Sequence, residues 1–396
     1  MDPLLCLMGM SYYPRRLDLR QDIQKKSLFL FGPRQTGKST LLRHLFPQAP
    51  TYNLLLADVF LRLSQRPQLM REELLSQKSV SKNQPRPPVI IDEIQKLPLL
   101  LDEVHYLIEE HGFRFILTGS SARKLKRGGG NLLGGRAWTK TLFPLVTSEI
   151  PNYDLLKILN YGTLPSIYTA SEPERDLAAY VGNYLQEEIQ AEGLVRRIEN
   201  FSRFLQTAAL CNTELLNFSS VASDAAVPPR TVIEYFTILQ DTLIGHLLEP
   251  FTKTKKRKAI TTAKFYFFDV GVSNFLAGRK GIRPKTELFG KVLEHFLFIE
   301  LKAALSYRGD PLPLSFWRST ADHEVDFLLG DTVAIEVKGT EMATEKHLHG
   351  LKALGEDLKL KRKIVVSLDP KRRRLGPIEI LPLASFLEEL WAGELF

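Results

Sequence analysis

The feature that most constrains this chain is a glycine-framed loop between an apolar run and a predicted helix. Residues 29–31 are apolar, and Gly-Pro-Arg-Gln-Thr-Gly-Lys-Ser follows from Gly32 to Ser39. This spacing fits G-x-x-x-x-G-K-[ST], a loop whose backbone amides surround phosphate groups. Glycines at both ends let the backbone approach a phosphate without a Cβ in the way. A helix beginning at Ser39 directs its positive end to the same point. The sequence therefore predicts a phosphate-binding loop.

The chemistry of such a loop assigns a role to each type of side chain. Lys38 is expected to reach the β- and γ-phosphates of ATP, and the Ser39 hydroxyl is expected to ligate Mg²⁺. A chance glycine turn before a helix is the alternative, and the flanking strand and helix disfavour it. The predicted nucleotide-contacting residues are Gly32, Pro33, Arg34, Gln35, Thr36, Gly37, Lys38, Ser39 and Thr40.

A second apolar run, residues 88–91, ends in the acidic pair Asp92 and Glu93. A continuous apolar strand indicates burial on both faces of a parallel sheet. Carboxylates at its carboxyl end lie where open α/β sheets bind ligands. Asp92 is predicted to hold Mg²⁺ or one of its waters, and Glu93 to act as the general base. Lys38 and Glu93 are thus the predicted catalytic residues, and an acidic helix cap after a strand is the alternative.

A third buried strand is expected at residues 113–121, which end in small hydroxyl residues. It would lie beside the phosphate-loop strand and present Thr118 or Ser120 near the γ-phosphate as a sensor. A plain cap of the following helix by Ser120 or Ser121 explains the same residues equally well. Arg136, after two glycines, is a candidate arginine finger; a loop arginine in solvent is the alternative. A helix is predicted over residues 15–27, and a second strand and the start of a further helix within 54–61.

Length and charge limit the class of protein. A chain of 396 residues predicts two or three domains. The net charge of +8 suits an anionic partner such as DNA. Cys6 and Cys211 are the two cysteines, and their separation gives neither a disulfide framework nor metal-site spacing. No run is long enough for a membrane helix. We therefore expect a cytoplasmic protein without a membrane partner.

The middle of the chain has the pattern of a helix–turn–helix module. Helices are predicted at residues 204–210, 218–222 and 230–239, and strands at 244–249 and 264–269 would form a wing, so the order resembles a winged helix. Between the strands lies a basic segment, residues 253–258. Two interpretations stay open. The segment grips nucleic-acid phosphates, or it is a solvated hairpin tip and the module serves as a lid or an oligomer contact.

The last third carries a second group of acidic residues. A long helix contains Glu294, and two predicted strands carry Asp326, Glu336 and Lys338. The two-residue period of a strand places Glu336 and Lys338 on one face, and a hairpin can bring Asp326 beside them. Two carboxylates and a lysine suit metal-assisted phosphodiester hydrolysis. The arrangement is similar to that of PD-(D/E)xK nucleases. These nucleases have an acidic residue on an upstream helix, and Glu294 matches it. A scaffold or an ion-pair cluster without cleavage is the alternative.

These segments together resemble one family. Residues 32–40, 90–96, 117–121, 131–136, 142–145, 324–327 and 335–338 are similar, in order, to prokaryotic AAA-type ATPases with a carboxyl-terminal domain of unknown function, relatives of the archaeal-type ATPases. The resemblance implies an α/β fold: an AAA-like P-loop NTPase core with a parallel sheet, a helical and winged-helix middle, and a restriction-endonuclease-like carboxyl-terminal domain. We predict the boundaries at 1–150, 151–285 and 286–396.

The function expected from these features is an ATPase that binds and hydrolyses ATP with Mg²⁺, with DNA as a candidate partner. Two alternatives stay open. One is an ATP-gated DNA nuclease that uses the carboxyl-terminal acidic cluster. The other is a nucleotide-dependent switch that assembles with itself or with another protein and cleaves nothing.

Overall fold

The computed structural model describes residues 12–76, 86–120, 125, 133–185 and 198–395. The chain divides into two compact units. The first comprises residues 15–143 and 241–243, and the second comprises the rest. The three predicted domain boundaries stay a prediction.

A five-stranded parallel sheet forms the first unit, in the order β2-β3-β4-β1-β5. The residues of β1, β3 and β4 are buried, as expected for a sheet that is covered on both faces. The strands are β1 Ser27–Phe31, β2 Thr51–Asn53, β3 Val89–Asp92, β4 Phe115–Gly119 and β5 Ala137–Thr141. The helices are α1 Arg20–Lys25, α2 Lys38–Leu45, α3 Ala57–Gln65, α4 Gln68–Ser76 and α5 Leu100–His111. This is the predicted α/β core, with β4 beside the phosphate-loop strand β1.

Two local predictions in this unit are wrong. The helix predicted over residues 15–27 begins only at Arg20. The segment before it is held by contacts to distant loops, since the Arg15 guanidinium donates to two of their carbonyl groups. The second strand precedes the predicted 54–61. Pairing with β3 already starts at the Pro50 carbonyl, which accepts from the Ile90 amide at 2.8 Å. The Asn53 side chain then accepts from the Leu55 amide at 2.9 Å and ends the strand.

The second unit begins with helices and a short antiparallel hairpin. The helices are α6 Leu155–Tyr161, α7 Pro165–Tyr168, α8 Pro173–Ala179, α9 Ile198–Leu210, α10 Phe218–Ala225 and α11 Pro229–Asp241. The hairpin consists of β6 Gly245–Leu248 and β7 Lys264–Phe267, and α12 Val270–Leu276 follows. The aromatic rings of Phe204 and Phe265 each lie 4.9 Å from Phe236, so α9, α11 and β7 share one core. The predicted order of three helices and a hairpin is present.

A six-stranded mixed sheet follows, in the order β12-β13-β11-β10-β9-β8. The strands are β8 Leu314–Arg318, β9 Glu324–Leu329, β10 Val333–Lys338, β11 Arg362–Ser367, β12 Arg373–Leu375 and β13 Ile378–Pro382. The helices are α13 Glu287–Arg308, α14 His349–Gly355 and α15 Leu383–Ala392. Apolar residues of α13 and α15 pack on one face, with Phe327 and Ile335, and those of α14 on the other, with Leu328 and Ala334.

Buried polar contacts fix strand β7 on helix α13. The ring of His295 donates from Nε2 to the Phe267 carbonyl at 2.6 Å, and its Nδ1 accepts from the Asn212 amide at 3.1 Å. The side-chain oxygen Oδ1 of Asn212 accepts from the Phe267 backbone amide at 2.9 Å. Burial lowers the pKa of His295 to about 4, so the ring is neutral and this pattern of donors and acceptors is satisfied. The hairpin is therefore anchored to the long helix.

Two helical glycines of this unit are expected to respond oppositely to alanine. A Cβ at Gly350 of α14 would lie 1.7 Å from the Glu324 carbonyl oxygen of β9, whereas a Cβ at Gly290 of α13 meets nothing within 4 Å. Gly350→Ala should lower the free energy of unfolding by about 1–3 kcal/mol through overpacking. Gly290→Ala should raise it by about 1 kcal/mol through helix propensity. Urea unfolding of the full chain measures both, and equal effects would contradict the close packing of α14 on β9.

Candidate functional site

The glycine-framed loop joins β1 to α2 in the first unit. A Cβ at Gly32 would lie 2.4 Å from the Leu142 carbonyl oxygen, so the close approach of these two segments requires glycine. Gly37 caps α2 with a φ of 91°, a left-handed conformation that favours glycine. The Arg15 guanidinium donates to the Thr36 carbonyl and to the Phe143 carbonyl, both at 2.6 Å. The loop is thus held in place from both sides.

The side chain of Lys38 is buried within the curve of this loop. Its ammonium group donates to the carbonyl groups of Gly32 at 2.6 Å and Pro33 at 3.0 Å. The Thr36 hydroxyl also donates to the Pro33 carbonyl, at 2.9 Å. Arg34, Gln35 and Thr40 are half-buried around the loop. The predicted nucleotide-contacting residues therefore form one continuous turn at the carboxyl end of β1.

The acidic strand end meets this loop through hydroxyl groups. The Ser39 hydroxyl donates to Asp92 Oδ2 at 2.7 Å. On its other side, Asp92 Oδ1 accepts from the Thr118 hydroxyl. The Thr118 oxygen itself accepts from the Glu93 amide at 3.2 Å. These contacts follow from the parallel register, in which Ile91 of β3 pairs with Leu117 of β4. The structure therefore brings the loop, the acidic pair and the sensor candidate Thr118 to one edge of the sheet.

Gln95 connects Glu93 to the other sensor candidate, Ser120. Its side-chain amide donates to Glu93 Oε2, and it lies 3.4 Å from the Ser120 hydroxyl oxygen. A Cβ at Gly119 would lie 2.4 Å from Gln95 Oε1, so glycine there makes room for the glutamine. Our sequence analysis assigned no role to Gln95, although it lies in the segment 90–96 that carries the family resemblance. Ser121, the other candidate cap, lies outside the described residues.

This arrangement fits a magnesium-bound nucleotide. Glycines frame the loop at positions 32 and 37, and Lys38 supplies a buried amine beside it. The Ser39 hydroxyl and the Asp92 carboxylate are oxygen donors within hydrogen-bond distance of each other, the type of ligand that Mg²⁺ prefers. The left-handed φ of 62° at Glu93 ends the strand and turns the chain immediately after Asp92.

Arg136 does not join this site. It precedes β5, whose first residue Ala137 pairs with Ser27 at the amino end of β1. The loop follows Phe31, at the opposite end of the same strand. Arg136 instead forms an ion pair with Glu109 and donates to the Gly134 carbonyl at 3.3 Å. This position contradicts a finger role within the chain's own site and agrees with the alternative of an exposed loop arginine.

The predicted acidic residues of the second unit also converge. Glu294 of α13, Asp326 of β9, and Glu336 and Lys338 of β10 line a pocket of about 250 Å³. Lys338 Nζ lies 2.5 Å from Glu336 Oε1. Asp326 Oδ2 accepts from the Val337 amide at 2.7 Å. The strand pairing that brings them together includes Phe327 opposite Ile335. The four residues thus lie together as the nuclease-like pattern predicts.

A second lysine enters this pocket from the hairpin. Lys264 of β7 is buried, and its ammonium group lies 3.0 Å from Glu294 Oε1 and 2.5 Å from Glu324 Oε1. Glu294 Oε1 also accepts from the Tyr266 hydroxyl at 2.6 Å. Lys264 was not among the predicted site residues. The sequence feature that could have indicated it is a basic residue at the start of an otherwise aromatic strand, Lys-Phe-Tyr-Phe.

Burial governs the protonation of these acids. Burial, then the Asp326 carboxylate, raises the pKa of Glu336, while Lys338 opposes the rise. Burial also raises the pKa of Glu294, against the nearby ammonium group of Lys264. Glu336 Oε2 is buried without a hydrogen-bond partner. In the described part of the chain, no group of three or more His, Cys, Asp or Glu side chains is arranged to hold a metal ion.

The basic segment between β6 and β7 is anchored rather than a free hairpin tip. The Arg257 guanidinium lies 2.7 Å from Glu356 and 3.3 Å from Asp357, and donates to the Ala353 carbonyl at 2.9 Å. The Lys256 amide donates to Asp357 Oδ1 at 2.6 Å. The lysines of the segment are exposed at positions 253, 255, 256 and 258. Arginine therefore fixes the segment, and the lysines face solvent.

The comparisons with known proteins agree with this architecture. An AAA domain matches residues 24–151, a domain of unknown function (DUF8612) matches 152–283, and another (DUF4143) matches 289–386. No curated protein matches the chain. Among the helices that the structure describes, none is both long and apolar enough to cross a membrane.

Two solved structures resemble the chain at low sequence identity. The Orc1 protein of Aeropyrum pernix, solved in complex with DNA, is 12% identical with a TM-score of 0.23, over 66% of this chain and 92% of that one. A signal transduction ATPase with numerous domains and a tetratricopeptide repeat sensor, from Pyrococcus horikoshii, is 13% identical with a TM-score of 0.25, over 76% of this chain and 48% of that one. From the domain matches, the chain carries an AAA domain and a carboxyl-terminal domain of unknown function, the combination found in the family that its motifs resemble.

Proposed function

We propose that this protein binds ATP with Mg²⁺ at the edge of the parallel sheet and hydrolyses it. The observation that carries the proposal is the 2.7 Å contact between the Ser39 hydroxyl and Asp92, directly beside the loop that holds the Lys38 ammonium group. This is the combination that phosphoryl-transfer sites of the P-loop class use to position and neutralise a triphosphate.

The loop residues supply the binding. Backbone amides from Gly32 to Gly37 and the amino end of α2 favour an anion, and Lys38 adds a full positive charge next to them. Ser39 and Asp92 would hold the metal ion, which supplies charge neutralisation between phosphate oxygens when it is bound. Thr118 orients Asp92 by donating to its second oxygen. The hydroxyl groups therefore keep the carboxylate in one position.

Glu93 is the group that would take a proton from the attacking water. It follows Asp92 directly and is buried, and Gln95 restricts its carboxylate by donating to Oε2. A carboxylate that is held by one amide on one oxygen retains lone pairs for a water. Glu93 is thus suited to act as a general base, and Gln95 is suited to position it.

Two substitutions separate binding from hydrolysis. Lys38→Ala should weaken ATP binding at least tenfold, about 1.4 kcal/mol, because the buried charge beside the phosphates is removed. Glu93→Gln should leave binding within about threefold but lower turnover roughly 10²–10⁴-fold, because the amide cannot accept the proton. Titration with a fluorescent ATP analogue measures the Kd, and release of radiolabelled phosphate measures kcat.

Lys25→Ala serves as the matched control, because Lys25 is an exposed lysine in α1 of the same unit. Its binding and turnover should equal those of the wild type. Wild-type turnover no faster than that of both site variants would refute hydrolysis. Tight binding without turnover would instead favour the nucleotide-dependent switch, which light scattering with and without ATP can detect as a change in assembly size.

A second proposal concerns nucleic acid, and the anchored basic segment favours it. Lysines at positions 253, 255, 256 and 258 are exposed on one short connection that the Arg257 ion pairs fix in place. Lysines on an anchored backbone bind phosphates without reading bases, and the backbone loses less conformational entropy on binding than a free tip would. We therefore propose this segment as a sequence-independent contact for a DNA backbone.

Charge reversal tests this contact. The double substitution of Lys255 and Lys256 to glutamate should lower affinity for a labelled DNA duplex at least tenfold, because two phosphate contacts are lost. It should also reduce the slope of log K against log salt by about 2 units. The control reverses two other exposed lysines, Lys346 and Lys359, with the same change in net charge. Fluorescence anisotropy at several salt concentrations distinguishes them, and an equal loss in both variants would rule out a local contact.

A further inference from the structure

The acidic pocket of the second unit contains two fixed ammonium groups as well as its carboxylates. Lys264 reaches Glu294 and Glu324, and Lys338 reaches Glu336. Lys264 comes from the middle hairpin, whereas the nuclease-like pattern comprises only residues of the sheet and of α13. Its ammonium group lies within ion-pair distance of both carboxylates, so the pocket contains a positive charge at this point.

These residues do not fit a divalent metal ion. Mg²⁺ needs oxygen ligands at about 2.0–2.1 Å in octahedral geometry. In this pocket the Lys264 ammonium group already lies among the oxygens of Glu294 and Glu324, and Asp326 Oδ2 already accepts from a backbone amide. A metal ion bound by the same carboxylates would lie next to a like charge that has no lone pair to offer. The charge of Lys264 therefore opposes a metal ion on these carboxylates.

The position of Lys264 is built into the fold. Strand β7 is held on α13 by the His295 ring and by Asn212, both through backbone atoms of Phe267. The amine of Lys264 lies over the ring of Phe316 of β8, 5.4 Å from its centroid. Tyr266, two residues on, donates to the same Glu294 oxygen. The lysine is therefore buried, and its amine is held by the acids and by the ring.

One acid in the pocket still lacks a partner. Glu336 Oε2 is buried and makes no hydrogen bond, although Oε1 pairs with Lys338. A buried carboxylate oxygen without a partner is costly, so this oxygen would contribute a ligand to a cation if the Lys264 amine were removed. The pocket has room for it, since its volume is about 250 Å³.

We propose that Lys264 is a built-in cation that occupies the acidic pocket and excludes divalent metal ions from it. The pocket then holds an ammonium group where the nuclease-like pattern would hold a metal, and the carboxyl-terminal domain has no metal-activated water. Removing the amine, rather than adding an acid, is what converts the pocket into a divalent-cation site. This inference concerns the second unit and stands apart from the proposed nucleotide chemistry.

The test measures Mn²⁺ binding to the full chain without nucleotide, by calorimetry and by the electron paramagnetic resonance signal of free Mn²⁺. Lys264→Met keeps the length of the side chain and removes the charge. This variant should bind one more Mn²⁺ per chain than wild type. Its affinity for Mn²⁺ at the pocket should be at least tenfold higher than that of wild type, and the midpoint temperature of its thermal unfolding should rise when Mn²⁺ is added. The gain should disappear when Glu336→Gln is added. Lys264→Arg keeps the charge and should gain nothing. Mn²⁺ bound elsewhere on the chain contributes equally to all variants, so it does not affect the difference between them.

A comparison without Lys264 variants keeps the proposal falsifiable if the methionine variant does not fold. Wild type and Glu336→Gln should bind Mn²⁺ identically, because the pocket is closed to metal in both. A Mn²⁺ ion that wild type binds and Glu336→Gln loses would overturn the proposal, because metal and ammonium would then share the pocket. A folded Lys264→Met chain that binds no additional Mn²⁺ would overturn it as well.

Discussion

The parallel register of β1, β3 and β4 is the constraint on which the first site depends. Leu28 pairs with Ile116, and Ile90 with the same residue from the other side, so the three strands end together. Their residues are buried on both faces, and polar groups therefore appear only where the strands end. The glycine-framed loop, the acidic pair and the Thr118 hydroxyl thus lie at the same edge of the sheet. A slip of one residue would turn every side chain to the opposite face.

The second site depends on a different constraint, the cost of burying charge. Glu294, Asp326 and Glu336 are acidic groups that line one pocket, and isolated carboxylates buried there would lose several kcal/mol of solvation each. The fold compensates with nearby ammonium groups and with the Tyr266 hydroxyl. Because the compensation comes partly from the hairpin, the middle segment and the mixed sheet depend on each other for stability. Both belong to one compact unit.

The sequence predicted what depends on local patterns and missed what depends on distant partners. The loop, the strand that ends in Asp92 and Glu93, and the hairpin with Asp326 and Glu336 follow from spacing and period, and the structure contains each of them. The start of α1 and the place of β2 were wrong because hydrogen bonds of Arg15 and Pro50 to other segments decide them.

Arg136 and Lys264 show the same limit for function. Glycines before Arg136 suggested a catalytic loop, but the strand register places it at the amino end of β5, at the edge of the sheet opposite the glycine-framed loop. The residues next to Lys264 in sequence do not predict its ion-pair partners, because Glu294 and Glu324 are 30 and more residues away. Only the packing of β7 on α13 brings the amine to the acids. Residues that contribute one charge to a site built elsewhere carry no periodicity of their own.

The two acidic sites differ in the kind of donor that their carboxylates meet, and this difference decides what else can bind. Asp92 accepts from the hydroxyl groups of Ser39 and Thr118. A hydroxyl group carries lone pairs as well as a proton, so the Ser39 hydroxyl can rotate and become a ligand itself when a metal ion arrives. An ammonium group has three protons and no lone pair, so Lys264 cannot change roles in this way. On the proposed assignments, the same oxygen-rich composition would accept a metal ion at the first site and oppose it at the second.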